Sequence, residues 1–196
     1  MVTDGSGKKY ECEIEEVTRS ELSLKILNST TEERPKPFLT ICIGNIKKRD
    51  RLEFAVEKMT ELGADRIIVF KGEHSQKENV RTDRLEAAAL AAMKQSLRVY
   101  LPQIVVEKSL QTALALLNDH DKLLMADEIA DHENSLTQDL DDHESIFIAI
   151  GPEGGFSEKE RELLAGRAAG IVSLGPKRLR TETAAITATD RFKNRL

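Results

Sequence analysis

From residue 38 onward, short apolar runs alternate with longer segments whose apolar residues recur every three or four positions. Short, unbroken apolar runs are the mark of parallel strands covered on both faces. The pattern predicts strands over 38–43, 66–70, 103–106, 122–125, 146–150 and 171–174. Between them it predicts helices. Asp50 and Glu53 have the spacing of a capping box. The helix they open ends at Leu62-Gly63, glycine being the usual left-handed residue past a C-terminus. Leu52, Val56 and Met59 form its apolar stripe. An alanine-rich helix is predicted over 82–99, stopped before Pro102, and a short one over 109–117. Ser157 with Glu160 caps a helix from Glu158, and Thr181 caps a last one from Glu182 to about Lys193. Strict strand–helix alternation gives an α/β fold built on a parallel sheet.

The first stretch has a different period. Tyr10, Cys12 and Ile14 alternate with Glu11, Glu13 and Glu15, and Leu22, Leu24 and Ile26 with Ser23 and Lys25. Period two predicts a pair of half-buried antiparallel strands. Asp4-Gly5-Ser6-Gly7 is a hairpin turn signal with only three residues before it. The strand it turns from is therefore expected to be absent and the N-terminus truncated. Two strands make no independent domain. Glu32-Glu33-Arg34-Pro35-Lys36-Pro37 reads as a linker between a β appendage over 1–34 and a main domain over 38–196.

The chemistry concentrates late in the chain. One strand feeds Ile150-Gly151-Pro152-Glu153-Gly154-Gly155-Phe156-Ser157, and the next feeds Leu174-Gly175-Pro176-Lys177-Arg178-Leu179-Arg180-Thr181-Glu182-Thr183. Two such loops, one βα unit apart, can line one crevice at the carboxyl edge of a sheet, where open α/β folds bind ligands. Glycines in the first loop allow left-handed backbone and close approach of a ligand. The loop is neither G-x-G-x-x-G nor a P-loop. Glu153, Glu158 and Glu160 make it a poor phosphate cradle and favour a neutral or cationic ligand. The alternative is an ordinary tight turn. In the second loop, Lys177, Arg178 and Arg180 crowd a helix N-terminus, which prefers anions. They point to an anionic partner such as an RNA phosphate, or to a plain solvated basic loop. Lys47, Lys48, Arg49 and Arg51 form another basic group near the same edge, with the same two readings. The Glu158-to-Glu162 run reads as a solvated helix face.

Composition narrows the field. The chain has 196 residues, 32% charged and 4% aromatic, with net charge −5. An acidic chain is a poor non-specific nucleic-acid binder, since such binding rests on neutralised phosphates. A local basic patch reading folded RNA remains open. Cys12 and Cys42 read as buried thiols, without C-x-x-C spacing. Four scattered histidines show no metal pattern, and His74 reads as an exposed loop residue. No apolar run approaches the roughly 18 residues of a membrane span, and no signal peptide is present. A cytoplasmic location is expected.

The two loops, together with Arg51-Leu52-Glu53-Phe54, Lys58, Glu61-Leu62-Gly63 and Lys94-Gln95-Ser96, carry a family resemblance. The chain resembles the RsmE-type small-subunit ribosomal RNA uridine-N3 methyltransferases of the SPOUT, or α/β-knot, superfamily, over about residues 38–196. The resemblance implies a parallel sheet with a deep C-terminal trefoil knot, a rare exception to unknotted topology. It implies a PUA-like N-terminal β-barrel for RNA, of which only the final part is expected here. It implies S-adenosylmethionine bent in the knot, held by Ile150, Gly151, Pro152, Glu153, Gly154 and Gly155 and by Leu174, Gly175, Leu179 and Arg180. A third loop near Ala126-Asp127-Glu128 completes that pocket. It further implies a homodimer paired through knot helices, with Ala184, Ala185, Ile186, Ala188 and Phe192 as apolar surface. The substrate implied is one uridine N3 of 16S ribosomal RNA, within a small subunit or assembly particle. Lys47, Lys48, Arg49, Arg51, Lys177 and Arg178 are the candidate RNA contacts. Three positions depart from the family. Lys177 and Arg178 stand where Arg and an apolar residue are usual, and His74 stands where Arg is frequent.

For the reaction, Arg180 is the candidate to stabilise a uracil oxyanion. Glu182 is the candidate base, or else a support for the last helix. Rival readings are a knotted transfer-RNA methyltransferase, a non-catalytic RNA-binding or ribosome-assembly protein, and a nucleotide-dependent enzyme. Against the last stands the missing Lys-Ser/Thr after Gly154-Gly155.

Overall fold

The computed structural model describes residues 1–75, 79–127, 143–167 and 169–194. Two sheets form. The first is antiparallel, with β1 (Val2–Thr3), β2 (Lys8–Val17) and β3 (Leu22–Thr31) in that order. The strand expected to be missing is there: Val2 pairs with Tyr10 and Thr3 with Lys9. Its turn is fastened by Asp4, whose Oδ1 accepts bonds from the Ser6 amide and hydroxyl at 2.8 and 2.7 Å. Those bonds from Ser6 hold the Asp4 carboxyl down at about 2.

The expected half-burial of β2 and β3 is found only in part: Tyr10, Cys12 and Leu24 are half-buried, and the rest of the predicted face is exposed. Ile14 is 62% exposed, Val17 69% and Ile26 59%. Cys12 is half-buried rather than buried. The reason is that this sheet meets the main body at one end only. Gly7 N donates to Val99 O, Leu101 N to Gly5 O, and Tyr100 Oη to Glu32 O.

The second sheet is parallel and six-stranded: β4 (Phe38–Gly44), β5 (Arg66–Phe70), β6 (Gln103–Glu107), β7 (Asp121–Ala126), β8 (Ser145–Ile150) and β9 (Gly170–Val172), in the order β6-β5-β4-β8-β7-β9. The chain begins at β4, builds outward through β5 and β6, then crosses to β7 and β8. The order therefore reverses between β4 and β8, which creates a crevice at their carboxyl ends. Leu39, Ile41 and Ile43 of β4 face one core with Val56, Met59, Ala185 and Phe192. Cys42, at opposite parity, faces a second core with Phe70, Phe147, Ala113 and Leu164. Two covered faces are what unbroken apolar strands require.

Helix boundaries hold several corrections. The first helix, α1 (Arg49–Leu62), starts from Lys48 without a side-chain cap, so the Asp50–Glu53 box does not form. The amides of Arg51 and Leu52 already donate to Lys48 O, which starts the helix early, and Glu53 turns to Arg84 at 3.6 Å. Next, α2 (Thr82–Gln95) ends four residues short of the predicted position. Leu97 adopts φ 57°, and Arg98 N closes back on Met93 O at 3.0 Å. Helix α3 is confined to Leu110–Leu114, with Ser109 as its cap. Helix α4 (Glu158–Ala165) has the expected Ser157–Glu160 box. Finally, α5 (Thr181–Lys193) takes Arg180 rather than Thr181 as its N-cap. It follows the edge strand β9 yet packs against α1, β4 and β8 in the middle of the sheet. Ala185, Ala188 and Phe192 are thereby fully buried in the chain's own core and offer no surface.

A polar joint ties the linker to α5. Lys193 Nζ donates to Pro35 O and Pro37 O at 2.7 Å each and to Asp65 Oδ2 at 2.6 Å. Asp65 also accepts from Arg34 at 2.8 Å and from the Leu39 amide at 2.9 Å. Burial pushes the Lys193 ammonium below its usual range, and the bond to Asp65 works against that shift.

Candidate active site

The carboxyl edge of the sheet opens into a cleft of about 400 Å³. That volume lies within the usual range for small-molecule sites. Its apolar lining comes from Ala126, Ile150, Leu174, Leu179 and Ala184, and its polar wall from Arg51, Asp127, Glu153, Arg161, Lys177, Arg178 and Arg180. The ends of β7 and β8, the loop after β9 and the first turn of α5 thus converge, as the spacing of the two loops predicts.

The first loop is a tight turn. Gly155 N donates to Pro152 O at 2.8 Å, and Gly155 sits at φ +73°. A Cβ on Gly155 would meet nothing within 4 Å. The backbone there faces open space, so a ligand can come close. Gly175, at φ +146°, is equally open. Gly154 differs. A Cβ there would lie 2.8 Å from His74 Cβ, and Gly154 is absent from the cleft lining. Its smallness serves the neighbouring loop, not the cleft.

Pro152 is boxed in by glycines that sequence reading did not single out. A Cβ on Gly44 would lie 2.4 Å from Pro152 N, and one on Gly72 would lie 2.9 Å from Pro152 Cγ. Phe156 stacks on Phe70 with centroids 6.3 Å apart. Glu160, expected on a solvated face, is 4% exposed. Its Oε2 accepts from Ser157 N at 2.8 Å and its Oε1 from Glu73 N at 3.1 Å.

The charges of the wall are partly paired. Arg161 Nη1 is bonded to Asp127 Oδ2. Arg51 Nη1 stands 3.9 Å from Glu153 and 3.6 Å from Glu182. Among the described residues, neither Lys177 nor Arg180 has an ion-pair partner, and both are exposed. The predicted site residues therefore divide. Ile150, Gly151, Pro152, Glu153, Gly155, Leu174, Gly175, Leu179, Arg180, Lys177, Arg178 and Arg51 line the cleft. Glu182 does not. It is 7% exposed behind the wall, and its Oε2 has no hydrogen-bond partner. Lys47, Lys48 and Arg49 are exposed on the turn into α1, outside the cleft. Asp127 and Ala126 do line it, whereas Glu128 lies outside the described residues.

Sequence reading gave no role in the cleft to Arg161 or Phe156. It took His74 as an exposed loop residue, and exposed it is, but it also makes a contact that the reading did not foresee. The His74 ring lies across the first loop, with Nδ1 3.2 Å from both Gly154 O and Gly155 O. Among the described residues, no group of three or more His, Cys, Asp or Glu is placed to hold a metal. No helix among them is long and apolar enough to cross a membrane.

This architecture has known counterparts. A family model described as an RNA methyltransferase domain matches residues 32–193. The ribosomal RNA small subunit methyltransferase E of Bacillus subtilis is 31% identical over 194 residues, covering 93% of this chain and 76% of that protein. A probable rRNA-methyltransferase from Porphyromonas gingivalis superposes with TM-score 0.83 at 33% identity, over 95% of this chain and 80% of the other. A ribosomal RNA small subunit methyltransferase E from Neisseria gonorrhoeae, solved bound to S-adenosyl methionine, gives TM-score 0.81 at 25% identity, over 95% and 78%. With a matching family model over most of its length and relatives of that identity and coverage, the chain belongs to the ribosomal RNA small subunit methyltransferase E family of RNA methyltransferases.

Proposed function

We propose that the protein methylates N3 of one uridine in 16S ribosomal RNA, using S-adenosylmethionine. The observation that carries this reading is the cleft itself, which brings open glycine backbone at Gly155 and Gly175 together with unpaired Lys177 and Arg180. The donor set suits the cofactor. Backbone groups of residues 150–155 and 174–180 offer hydrogen bonds, and Glu153 and Asp127 offer negative charge to a sulfonium. S-adenosylmethionine supplies an electrophilic methyl group when bound. The chain's own residues do the rest. The two loops hold N3 in line with that methyl group, a large effect when the geometry is fixed. N3 would give up its proton to water as the new N–C bond forms and the methyl group's bond to sulfur breaks, and Arg180 stabilises the negative charge that grows on the uracil oxygens. Glu182 is a positioning residue that acts through Arg51. Its burial keeps it from touching the base.

Lys177, Arg178 and Arg51 at the cleft, with Lys47, Lys48 and Arg49 outside it, contact RNA phosphates. The target uridine is unstacked, since a paired uracil hides N3. Residues 38–196 form the SPOUT domain, its last segment threaded as a trefoil knot. The return of α5 from the edge to the middle of the sheet supports that. Residues 1–34 belong to a PUA-like RNA-binding β-domain. The active form is a cytoplasmic homodimer, twofold pairing being the commonest assembly. Its interface draws on half-buried Ala184 and Ile186. Light scattering should give a dimer mass at micromolar concentration.

The test is tritiated methyl transfer to small subunits lacking the modification, followed by nucleoside mass spectrometry. Label on N3 of uridine is expected. Label on ribose, on another base or on transfer RNA would overturn the substrate assignment.

A further inference from the structure

We propose that His74 is a positioning residue for the methyl-donor side of the cleft. It sets the peptide planes of the Gly154-Gly155 segment through a shared N–H. The proposal rests on the reading of the cleft as a S-adenosylmethionine site.

The geometry starts from the two carbonyls. Nδ1 of His74 lies 3.2 Å from Gly154 O and 3.2 Å from Gly155 O. Both partners are carbonyl oxygens, which only accept, so Nδ1 must carry the proton and donate to both. Shared bonds of this kind are common where backbone turns tightly. Gly154 and Gly155 are the last two residues of the turn closed by Gly155 N on Pro152 O. Both carbonyls are thereby held on the His74 side, while Gly155 lines the cleft with nothing within 4 Å of where a Cβ would stand.

The approach is built from both sides. Gly154 has no Cβ, and one would sit 2.8 Å from His74 Cβ. The segment carrying His74 is pinned in turn. Glu73 N donates to buried Glu160 at 3.1 Å, and Gly72 N to Ser75 Oγ at 3.0 Å. The imidazole is thus delivered to the glycine turn by a segment about eighty positions earlier in the sequence. Glu160, which caps the helix leaving that turn, holds the same segment. His74 is absent from the cleft lining. Its influence on the donor runs entirely through the loop.

Isosteric substitution tests this. Asparagine places its amide nitrogen the same number of bonds from Cα as Nδ1. Glutamine places it one bond further, as Nε2 is. Full-length wild type, His74→Ala, His74→Asn and His74→Gln are compared by calorimetric titration with S-adenosylmethionine and by methyl transfer to unmodified small subunits. His74→Ala and His74→Gln should bind the donor about tenfold more weakly, the scale of one lost hydrogen bond. They should raise KM for the donor with kcat at saturation unchanged. His74→Asn should restore affinity to near wild type. Equal affinity in all four proteins would overturn the role. An asparagine variant as weak as alanine would overturn the shared N–H as its cause. A melting temperature is taken for each variant; loss of affinity that tracks loss of melting temperature also overturns positioning. Wild type that binds no donor would instead defeat the reading of the cleft.

Discussion

The two loops of the cleft are built on opposite principles. The first is over-determined. Pro152 is walled by Gly44 and Gly72, Phe156 stacks on Phe70, Ser157 and Glu160 close a capping box, and His74 grips two carbonyls. The second is the more exposed. Ser173 Oγ and Gly175 contact each other at 3.4 Å, Arg191 holds Ser173 O at 2.6 Å, and Pro176, Lys177, Arg178 and Arg180 are exposed. A preformed loop binds a small ligand without spending free energy on ordering. An exposed basic loop presents its charge to a large anionic surface. On the proposed reading the first loop serves the donor alone, while the second shares the donor through Leu174, Gly175 and Leu179 and offers its basic side chains to RNA.

The largest expected effect separates chemistry from binding. Arg180→Ala should lower turnover on the order of 100-fold or more. Donor affinity by calorimetry should change little. If the two fall together, Arg180 belongs to the first loop's task and the division fails. Next in size, Gly44→Ala should destabilise the fold by roughly 1–3 kcal/mol, because the new methyl meets backbone of the first loop with no room to move. Thermal unfolding reads this directly, and an unchanged melting temperature would mean the first loop is less constrained than its contacts imply. Lys177→Ala should weaken RNA binding several-fold and reduce the salt slope by about 1. Filter binding over a salt series checks it, with donor affinity as the unaffected control. Smallest is Arg51→Ala. Its pairs to Glu153 and Glu182 are long, at 3.9 and 3.6 Å, and Arg51 itself is partly exposed, so stability should change by less than about 1 kcal/mol. A larger loss would show that α1 braces both loops.

The parallel sheet was legible because strands buried on both faces leave unbroken apolar runs. All six strands lie where those runs predict, although β9 stops at Val172 rather than at 174. The Ser157–Glu160 box was legible because a cap is local. Its counterpart at Asp50–Glu53 had the same spacing and did not form, since Glu53 had Arg84 to pair with from another helix. Gly44, Gly72 and His74 were not legible. Each matters through a contact with a loop that lies far along the chain, and no periodicity encodes such a contact. Burial of Glu182 was hidden for a related reason. The residue sits in the first turn of α5, and only the packing of that helix against α1 and β4 decides which way the turn faces.

The buried ammonium of Lys193 has a mechanical consequence. Its three protons are all taken, by Pro35 O, Pro37 O and Asp65. An apolar joint lets surfaces slide. Three directional bonds from one atom fix an angle. That angle is set at the far end of a thirteen-residue helix whose near end is Arg180 at the cleft, a span of about 20 Å at 1.5 Å per residue. The helix is a rigid strut with one foot on the linker and the other at the wall of the cleft. The path of the linker and the aim of Arg180 are therefore both referenced to a single nitrogen.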